Sequence, residues 1–154
     1  MTKADLFDWY DWYNTMDVKL DEGAKLPSRA HANDAGYDLY SRDEVMLPPH
    51  GWHVFDTGVH INLQPGRAGM IKSRSGMNTK HGITAEGVID ASYHGSIRVA
   101  LYNRSNEYYL VDKGDRIAQL VIVPVYTPEL RLLKPNEEFG DSDRGDNGFG
   151  STGK

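Results

Sequence analysis

Apolar and polar residues alternate along most of the chain in short runs, and turns rich in Gly, Pro or Asp separate these runs. Alternation with a period of two is typical of β-strands that bury one face. The sequence predicts strands over residues 18–20, 35–40, 45–47, 52–63, 70–71, 97–101, 108–111, 117–123 and 130–133. With 16 Gly and 7 Pro spread among these runs, the pattern favours an all-β domain over a helical bundle.

One run, residues 117–123, is apolar at nearly every position. A strand of this kind is expected at the centre of a sheet, with both faces buried. Gln119 interrupts the run, and a buried amide needs a hydrogen-bond partner or a ligand. A satisfied core glutamine and a ligand-binding glutamine both fit the sequence at this point.

A single carboxylate stands out in residues 87–96. Val88 and Ile89 run directly into Asp90, and Gly95 then leads into the next predicted strand, so the stretch is expected to be a hairpin with Asp90 at its neck. A charge that follows apolar residues is costly unless it has a partner or a function. An ordinary aspartate that bonds its own turn is the alternative.

A basic, hydroxyl-rich turn follows the strand at residues 70–71. Arg74 offers a planar fork for phosphate oxygens, Ser75 offers a hydroxyl donor, and Gly76 lets backbone N–H groups approach a ligand. The turn therefore predicts a phosphate-binding element, with a merely solvated basic turn as the alternative.

The two ends of the chain differ from the main domain, which we place at residues 17–139. Residues 1–16 carry two of the three tryptophans and predict either a short helix or a loosely ordered extension, whose aromatic side chains offer a docking surface. Residues 140–154 hold one apolar residue, Phe149, so this tail is expected to be mobile without a ligand. Its Gly, Ser and Thr residues suit phosphate binding, and Phe149 suits stacking on a base.

Composition narrows the functional classes. The 17 basic and 22 acidic residues give a net charge of −5, which argues against a protein that holds nucleic acid by its phosphates. The sequence shows no cysteine, no apolar run of membrane-spanning length and no signal-peptide pattern, so we expect no membrane association and a cytoplasmic location. His50, His53 and His60 lack the spacing of a zinc site.

Five stretches, in order, resemble the motifs of the all-β homotrimeric dUTPases, the deoxyuridine 5′-triphosphate nucleotidohydrolases. The resemblance covers about residues 18–154. The matching stretches are residues 35–39 (AGYDL), 74–77 (RSGM), 87–95 (GVIDASYHG), 114–120 (GDRIAQL), and Arg144 with 148–153 (GFGSTG). Residues 91–95 and 123–130 are most similar to sequences from Gram-positive bacteria and their phages.

The resemblance implies a jelly-roll-like subunit, a homotrimer with shared active sites and a mobile C-terminal arm. The implied reaction is hydrolysis of dUTP to dUMP and pyrophosphate, which supplies dUMP for thymidylate synthesis and keeps uracil out of DNA. Asp90 would activate the water that attacks the α-phosphate in line, and placement and electrostatics would supply most of the rate. Asp38 would hold Mg²⁺ through water, while the triphosphate chelates the ion.

The resemblance also implies the substrate contacts. Backbone groups of Gly87, Val88 and Ile89 would read the uracil edge, and Tyr93 would pack under the deoxyribose and exclude a 2′-hydroxyl. The residues that would bind the phosphates or close over the nucleotide are Arg74, Ser75, Gly76, Gln119, Arg144, Phe149, Gly150, Ser151 and Thr152.

Two alternatives stand beside this reading. A nucleotide-gated interaction protein of the same fold would bind a protein partner through the ordered C-terminal tail or the N-terminal aromatic segment. The related dCTP deaminases are disfavoured because they use a different hairpin and lack a full fifth motif.

The chain departs from the family pattern in two places. It has Ser92, His94 and Ser96 where the third motif often has Asp, Arg and an acidic residue, and Ser73 where a Pro often precedes the arginine of the second motif. Neither departure touches the implied catalytic position. The second departure concerns the stiffness of the loop before Arg74, which a Pro would restrict.

Overall fold

The computed structural model describes residues 14–143 and residue 145. The helix or extension predicted for residues 1–16 lies mostly outside this part of the chain, as do Arg144 and residues 146–154 of the predicted tail. The partner site on the N-terminal segment, the closing tail and the domain limits therefore stay predictions.

Ten strands and one short helix are found within the described residues. They are β1 (Asp17–Leu20), β2 (Gly36–Tyr40), β3 (Val45–Leu47), β4 (Trp52–Asp56), β5 (Val59–Asn62), β6 (Arg67–Lys72), α1 (Ser75–His81), β7 (Ile83–Asp90), β8 (Arg98–Asn103), β9 (Tyr109–Val111) and β10 (Arg116–Pro124). Six strands form one antiparallel sheet in the order β2-β10-β6-β7-β8-β4, while β1 pairs with β5 and β3 with β9. The predicted all-β, jelly-roll-like fold is confirmed.

The core consists of the alternating apolar positions that predict the strands. Leu39, Leu47, Phe55, Leu101 and Ile117 are fully buried, and each comes from a different strand. Burying one such side chain contributes about 1.5–3 kcal/mol. A slip of one residue in strand pairing would turn these side chains outwards, so burial also fixes the register that positions the site.

Strand β7 changes partners part-way along its length. Its residues 83–85 pair with β8, with Ala85 opposite Leu101, whereas residues 86–90 pair with β6. The Ser73 hydroxyl donates to the Ala85 carbonyl at 3.1 Å and accepts the Ala85 N–H at 2.8 Å. Ser73 therefore bridges the point where β7 leaves β8, and it stiffens the loop in which the family pattern often has Pro.

Three sequence-based expectations need correction. Residues 121–123 of β10 are only half-buried, so the prediction of burial on both faces is wrong for this part, where a single chain leaves one face uncovered. Residues 130–133 form no strand, and Leu130 and Leu132 are 97% and 93% exposed, because the described part of the chain provides no strand for them to pair with. Residues 52–63 form two strands, since Gly58 turns the chain with φ 67°.

Helix α1 lies where the sequence predicts only a turn. Gly82 ends it in the left-handed conformation, with φ 65°, and Lys80 and His81 occupy its last turn. Both features are helix stop signals, but a helix of 7 residues is too short to show a clear apolar period. No helix in the described residues is long and apolar enough to cross a membrane.

Candidate functional site

A cleft of about 310 Å³ opens between β2, the start of α1 and the first half of β10. It is lined by Ala30, Asp34, Ala35, Gly36, Asp38, Arg74, Ser75, Gly76, Arg116 and Gln119. We call it the arginine cleft. The fold thus brings Asp38 from the first matching stretch, Arg74, Ser75 and Gly76 from the second, and Gln119 from the fourth into one place.

Asp38 lies between the two guanidinium groups of the arginine cleft. Its side chain is 17% exposed, with Arg74 Nε 3.2 Å from Oδ1 and Arg116 Nη1 3.3 Å from Oδ2. Arg74 Nη1 also donates to the Arg116 carbonyl at 3.3 Å. Asp34 accepts the N–H of His31 at 2.9 Å. The cleft therefore balances two arginines with two aspartates, and its arginines are held in place before any ligand arrives.

A β-bulge places Arg116 beside Gln119. The two residues have opposite parity in β10, so strict alternation would put them on opposite faces of the sheet. The pairing of β10 with β2 shifts between Arg116 and Ala118, and Ile117 and Ala118 are both buried. The bulge re-aims Arg116 so that both side chains line the arginine cleft.

Gln119 is hydrogen-bonded and also lines the cleft. Its Nε2 donates to the Ser73 carbonyl at 3.1 Å, which ties β10 to the loop before Arg74. A side chain at Gly36 would lie 2.6 Å from Gln119 Oε1, so glycine is needed there to leave room for the amide. Gln119 thus has the hydrogen-bond partner that a buried amide needs, and its role in binding a ligand stays a prediction.

The second group of predicted site residues lies on residues 87–96, which we call the Asp90 segment. The strands that flank it pair with each other only near Ala85 and Leu101 and then diverge. The segment is therefore the open end of the predicted hairpin: β7 and β8 are antiparallel partners up to Ala85 and Leu101, and Asp90 lies beyond their last paired residues. Beyond Ala85, β7 has β6 on one edge and, among the described strands, none on the other, which leaves backbone donors and acceptors for a ligand.

Asp90 ends β7 as an exposed residue, close in sequence to Val88, which is 60% exposed. The Asp90 carbonyl accepts the Tyr93 N–H at 3.0 Å and closes the turn. Within the described residues, no hydrogen bond or ion pair reaches the Asp90 carboxylate. The turn is closed by the backbone and not by the side chain, so the carboxylate is available to water or a ligand.

The Tyr93 ring is held against its own loop. Its hydroxyl donates to the Ser96 carbonyl at 2.9 Å. A side chain at Gly95 would collide with the ring, since its Cβ would lie 2.6 Å from Tyr93 Cζ. The tyrosine remains 43% exposed and presents an apolar surface next to Asp90.

The arginine cleft and the Asp90 segment lie towards opposite ends of β6. Asp90 pairs with Ala68, and Glu86 pairs with Lys72, which directly precedes the loop to Arg74. Ala68 and Lys72 are about 13 Å apart along an extended strand. Asp90 does not line the cleft, so one chain alone does not bring the predicted catalytic carboxylate to the predicted phosphate-binding residues.

Some site residues lie outside this geometry or outside the sequence prediction. Arg144, Phe149, Gly150, Ser151 and Thr152 are not among the described residues. Conversely, Arg116 and Asp34 line the cleft but are absent from the residues predicted to form the site. Its position within the fourth matching stretch is the only sequence signal that Arg116 belongs to the site. Alternation would place Arg116 and Gln119 on opposite faces of the sheet, and the bulge that brings them together is not visible in the sequence.

Two carboxyl groups around the Asp90 segment have shifted pKa values. Lys72 Nζ lies 2.9 Å from Glu86 Oε1, and this hydrogen bond lowers the pKa of Glu86. The hydrogen bond from the Ser96 hydroxyl is the largest cause that lowers the pKa of Asp56, against a smaller opposing effect of burial. Both groups therefore stay ionised to a lower pH than usual.

The described residues offer no complete metal cage. Among residues 14–143 and 145, no group of three or more His, Asp or Glu side chains is arranged to hold a metal ion. The cleft offers the carboxylate of Asp38, whose two oxygens both face arginines. Because Mg²⁺ often keeps several waters and binds through one carboxylate plus substrate phosphates, this donor set fits an ion that the ligand carries.

Comparisons with known sequences agree on one family. The family model for dUTPase matches residues 22–153. A deoxyuridine 5′-triphosphate nucleotidohydrolase of Candida albicans is 42% identical over 131 residues, which are 84% of this chain and 82% of that protein. One of Clostridium kluyveri is 42% identical over 138 residues, which are 88% of this chain and 94% of that protein.

Solved structures agree as well. The dUTPase of Staphylococcus bacteriophage 80alpha with dUpNHpp matches with a TM-score of 0.82 and 36% identity, covering 92% of this chain and 99% of that one. A variant dUTPase of S. aureus phage phi11, described with a structural Mg(II) ion, matches with a TM-score of 0.74 and 34% identity, covering 81% of this chain and all of that one. Gram-positive, phage and several fungal relatives are thus among the matches.

Proposed function

The chain belongs to the dUTPase family, and on that premise we propose that it hydrolyses dUTP to dUMP and pyrophosphate. The observation that supports the proposal is the arginine cleft, which brings residues of three separated sequence stretches together as one group of donors that suit phosphate oxygens. The reaction would supply dUMP for thymidylate synthesis and keep uracil out of DNA.

Phosphate binding is assigned to the donors of the arginine cleft. Arg74 engages Nε and Nη1 within the protein and Arg116 engages Nη1. A guanidinium group carries more N–H donors than these, so each arginine keeps donors for phosphate oxygens. The Ser75 hydroxyl, the Gly76 backbone and the Gln119 amide complete the set that would face the triphosphate.

Charge balance supports a cation that arrives with the substrate. Asp34 and Asp38 offset Arg74 and Arg116, so a triphosphate adds negative charge that the cleft alone does not offset. Mg²⁺, when bound, would supply the positive charge that stabilises the transferring phosphates. Asp38 would hold the ion through water, and it would loosen its own contacts with the arginines and so release their donors to the phosphates.

Asp90 is proposed as the base that orients and deprotonates the attacking water. The carboxylate would take the proton while the water oxygen attacks the α-phosphorus, and pyrophosphate would leave on the opposite side. Its exposure and its lack of a protein partner within the described residues support this role. Placement of the water and the preorganised electrostatics of the neighbouring groups would supply most of the rate.

Base and sugar recognition are assigned to the Asp90 segment. The open edge of β7 at Gly87, Val88 and Ile89 carries backbone groups that can pair with the uracil edge. The exposed ring of Tyr93 would pack under the deoxyribose, where a 2′-hydroxyl would lack room. Because the backbone of a strand is rigid, these groups would favour uracil over bases of a different shape.

We propose that the site is completed between chains of a homotrimer. The separation of the arginine cleft from Asp90 along β6 is the observation that supports this arrangement. The exposed Leu130 and Leu132 support an arm that packs on another chain. Arg144, Ser151 and Thr152 would clamp the phosphates from the tail, with Phe149 over the uracil.

The proposal is tested by measuring pyrophosphate release from dUTP, dTTP, dCTP and UTP in the presence of Mg²⁺. Turnover of dUTP with strong rejection of the other three is expected, and it should stop when a chelator removes the ion. Equal turnover of UTP, or release of ammonia from dCTP, would overturn the assignment. Sedimentation of the active protein as a monomer would overturn the shared site.

A further inference from the structure

The Asp90 segment rests on a neighbouring element, the β4–β5 bend at residues 56–60, which the proposed function leaves without a role. The Thr57 N–H donates to the Ile97 carbonyl at 3.1 Å, and the Ile97 N–H donates to the Val59 carbonyl at 2.8 Å. The Thr57 hydroxyl, which is buried, also donates to the Ile97 carbonyl at 2.7 Å. The bend is therefore a fixed base for the end of the segment.

Ser96 ties the segment to this bend through its side chain. The Ser96 hydroxyl donates to Asp56 Oδ1, and the Gly58 N–H donates to the same oxygen at 3.0 Å. Arg42 Nη2 lies 3.5 Å from this carboxylate oxygen. Asp56 is thus held on several sides, so the acceptor offered to Ser96 has a defined position.

His60 ties the middle of the segment to the same bend. Its Nδ1 lies 2.8 Å from the His94 carbonyl, which can only accept, so the ring nitrogen donates. Its Nε2 lies 3.1 Å from Asp21 Oδ1. The Asp21 backbone N–H in turn donates to the Gly58 carbonyl at 2.8 Å, so Asp21 orients the ring from a position that is itself fixed to the bend.

These contacts determine where the Tyr93 ring lies. The tyrosine hydroxyl bonds to the carbonyl of Ser96, and the ring sits against Gly95. His94 and Ser96, the residues on either side of Gly95, are the two that the bend holds. A shift of either one would move the surface that supports the tyrosine.

We propose that Ser96, through Asp56, and His60, through Asp21, are positioning residues for Tyr93 and so set the preference for deoxyribose over ribose. The inference rests on the proposed function, which places Tyr93 under the sugar. None of the four residues lines the arginine cleft, so they act on sugar discrimination and not on phosphate binding. A misplacement of about 1 Å at a reacting centre can lower the rate about 10²-fold. The Tyr93 ring would contact the sugar and not the reacting phosphorus, so loosening it should lower the rate less.

The test compares kcat and KM for dUTP and UTP in Ser96→Ala and His60→Phe variants. We expect the ratio of kcat/KM for dUTP over UTP to fall about tenfold in each, while kcat for dUTP changes less than about twofold. Ser96→Thr keeps the hydroxyl, and His60→Asn keeps an amide donor near the position of Nδ1. Both conservative variants should recover most of the ratio.

A merely structural role is separated by repeating the changes in a Tyr93→Ala background. If Ser96 and His60 act through the ring, their substitution there should leave the dUTP to UTP ratio unchanged, because coupled residues are not additive. A further fall of similar size in that background would overturn the inference. Thermal unfolding of every variant shows that the comparison concerns folded protein.

The Asn106→Ala variant is the control, since it removes another histidine-mediated loop contact, His50 Nε2 to Asn106 Oδ1 at 2.9 Å, and should leave the ratio unchanged. Failure of the wild-type protein to hydrolyse dUTP would overturn the proposed function alone. In that case calorimetry with the imido analogues of dUTP and UTP measures the ratio of their binding affinities, which tests the preference for deoxyribose without turnover. An unchanged ratio in Ser96→Ala and His60→Phe, or no preference in the wild type, would overturn the positioning role.

Discussion

The arginine cleft and the Asp90 segment prepare for a ligand in opposite ways. In the cleft, the charged side chains and the amide already have protein partners: Asp38 pairs with Arg74 and Arg116, and Gln119 bonds to the Ser73 carbonyl. On the segment, the Asp90 carboxylate has no such partner within the described residues. The charges proposed to hold phosphates are oriented in advance, whereas the carboxylate proposed to accept a proton has no protein partner among the described residues.

This difference predicts different consequences of substitution. Removing a side chain from the cleft should weaken ligand binding and also leave its protein partner without a hydrogen bond, which lowers stability. Removing the Asp90 carboxylate leaves the fold intact, because nothing in the described structure depends on it. The changes below test this contrast.

Asp90→Asn should have the largest effect. The amide keeps the shape of the side chain but cannot accept the proton, so turnover of dUTP should fall by about 10²- to 10⁴-fold. Affinity for dUTP and the melting temperature should change little. Asp43→Asn, at another exposed aspartate, is the matched control and should keep full activity; normal turnover by the Asp90 variant would exclude the carboxylate as the base.

Arg116→Gln should have the next largest effect. Loss of one guanidinium group from the cleft should raise KM for dUTP about tenfold, which corresponds to about 1.4 kcal/mol. The melting temperature should also fall slightly, because Asp38 loses one of its two partners. Lys113→Gln, which changes a nearby basic residue outside the cleft, should alter neither quantity. An unchanged KM in the Arg116 variant would remove this residue from the site.

Ser73→Ala should weaken the point where β7 changes partners. The substitution leaves the Ala85 N–H and carbonyl without the hydroxyl that bonds to both, so the free energy of unfolding should fall by about 1–3 kcal/mol. Chemical denaturation measures this loss. Thr79→Ala removes a hydroxyl that bonds the Ser75 carbonyl within exposed α1 and should cost less; equal losses would show that the switch point has no special dependence on Ser73.

The smallest effect concerns Asp56 and pH. Hydrogen bonding lowers the pKa of Asp56 below its usual 3.8 in the folded chain, so the folded state binds this proton more weakly than the unfolded state. The resulting stabilisation is present above pH 3.8 and is lost as the pH falls through the folded-state value. Asp56→Asn should therefore unfold at a lower temperature than wild type at neutral pH, and the gap should close in acid. A gap that is independent of pH would contradict this.

Alternation in the sequence predicts the strands and the core well, because Leu39, Phe55 and Leu101 follow the period that burial of one face imposes. It does not predict the bulge at Arg116, because an extra residue changes the facing of every later position without changing composition. Nor does it predict that β7 leaves β8 after Ala85, because strand partners depend on distant residues.

The other differences between prediction and structure also arise because a sequence pattern describes one segment at a time. Residues 130–133 alternate like a strand but pair with no strand in the described part of the chain, and the sequence of one segment does not reveal its pairing partner. Helix α1 has stop signals at Lys80, His81 and Gly82 but too few turns for a period. The sequence of the Asp90 turn does not show whether the side chain or the backbone closes the turn. The structure shows that the backbone does, through the Tyr93 N–H and the Asp90 carbonyl.

The open edge of β7 has a consequence for solubility. An unpaired strand edge invites another copy of the chain to add a strand, and proteins limit this with short edges and charged residues. Here the open portion is residues 86–90, with Glu86 at one end and Asp90 at the other. If two such edges paired antiparallel, Glu86 of one copy would face Asp90 of the other, so the carboxylate proposed for catalysis would also discourage aggregation.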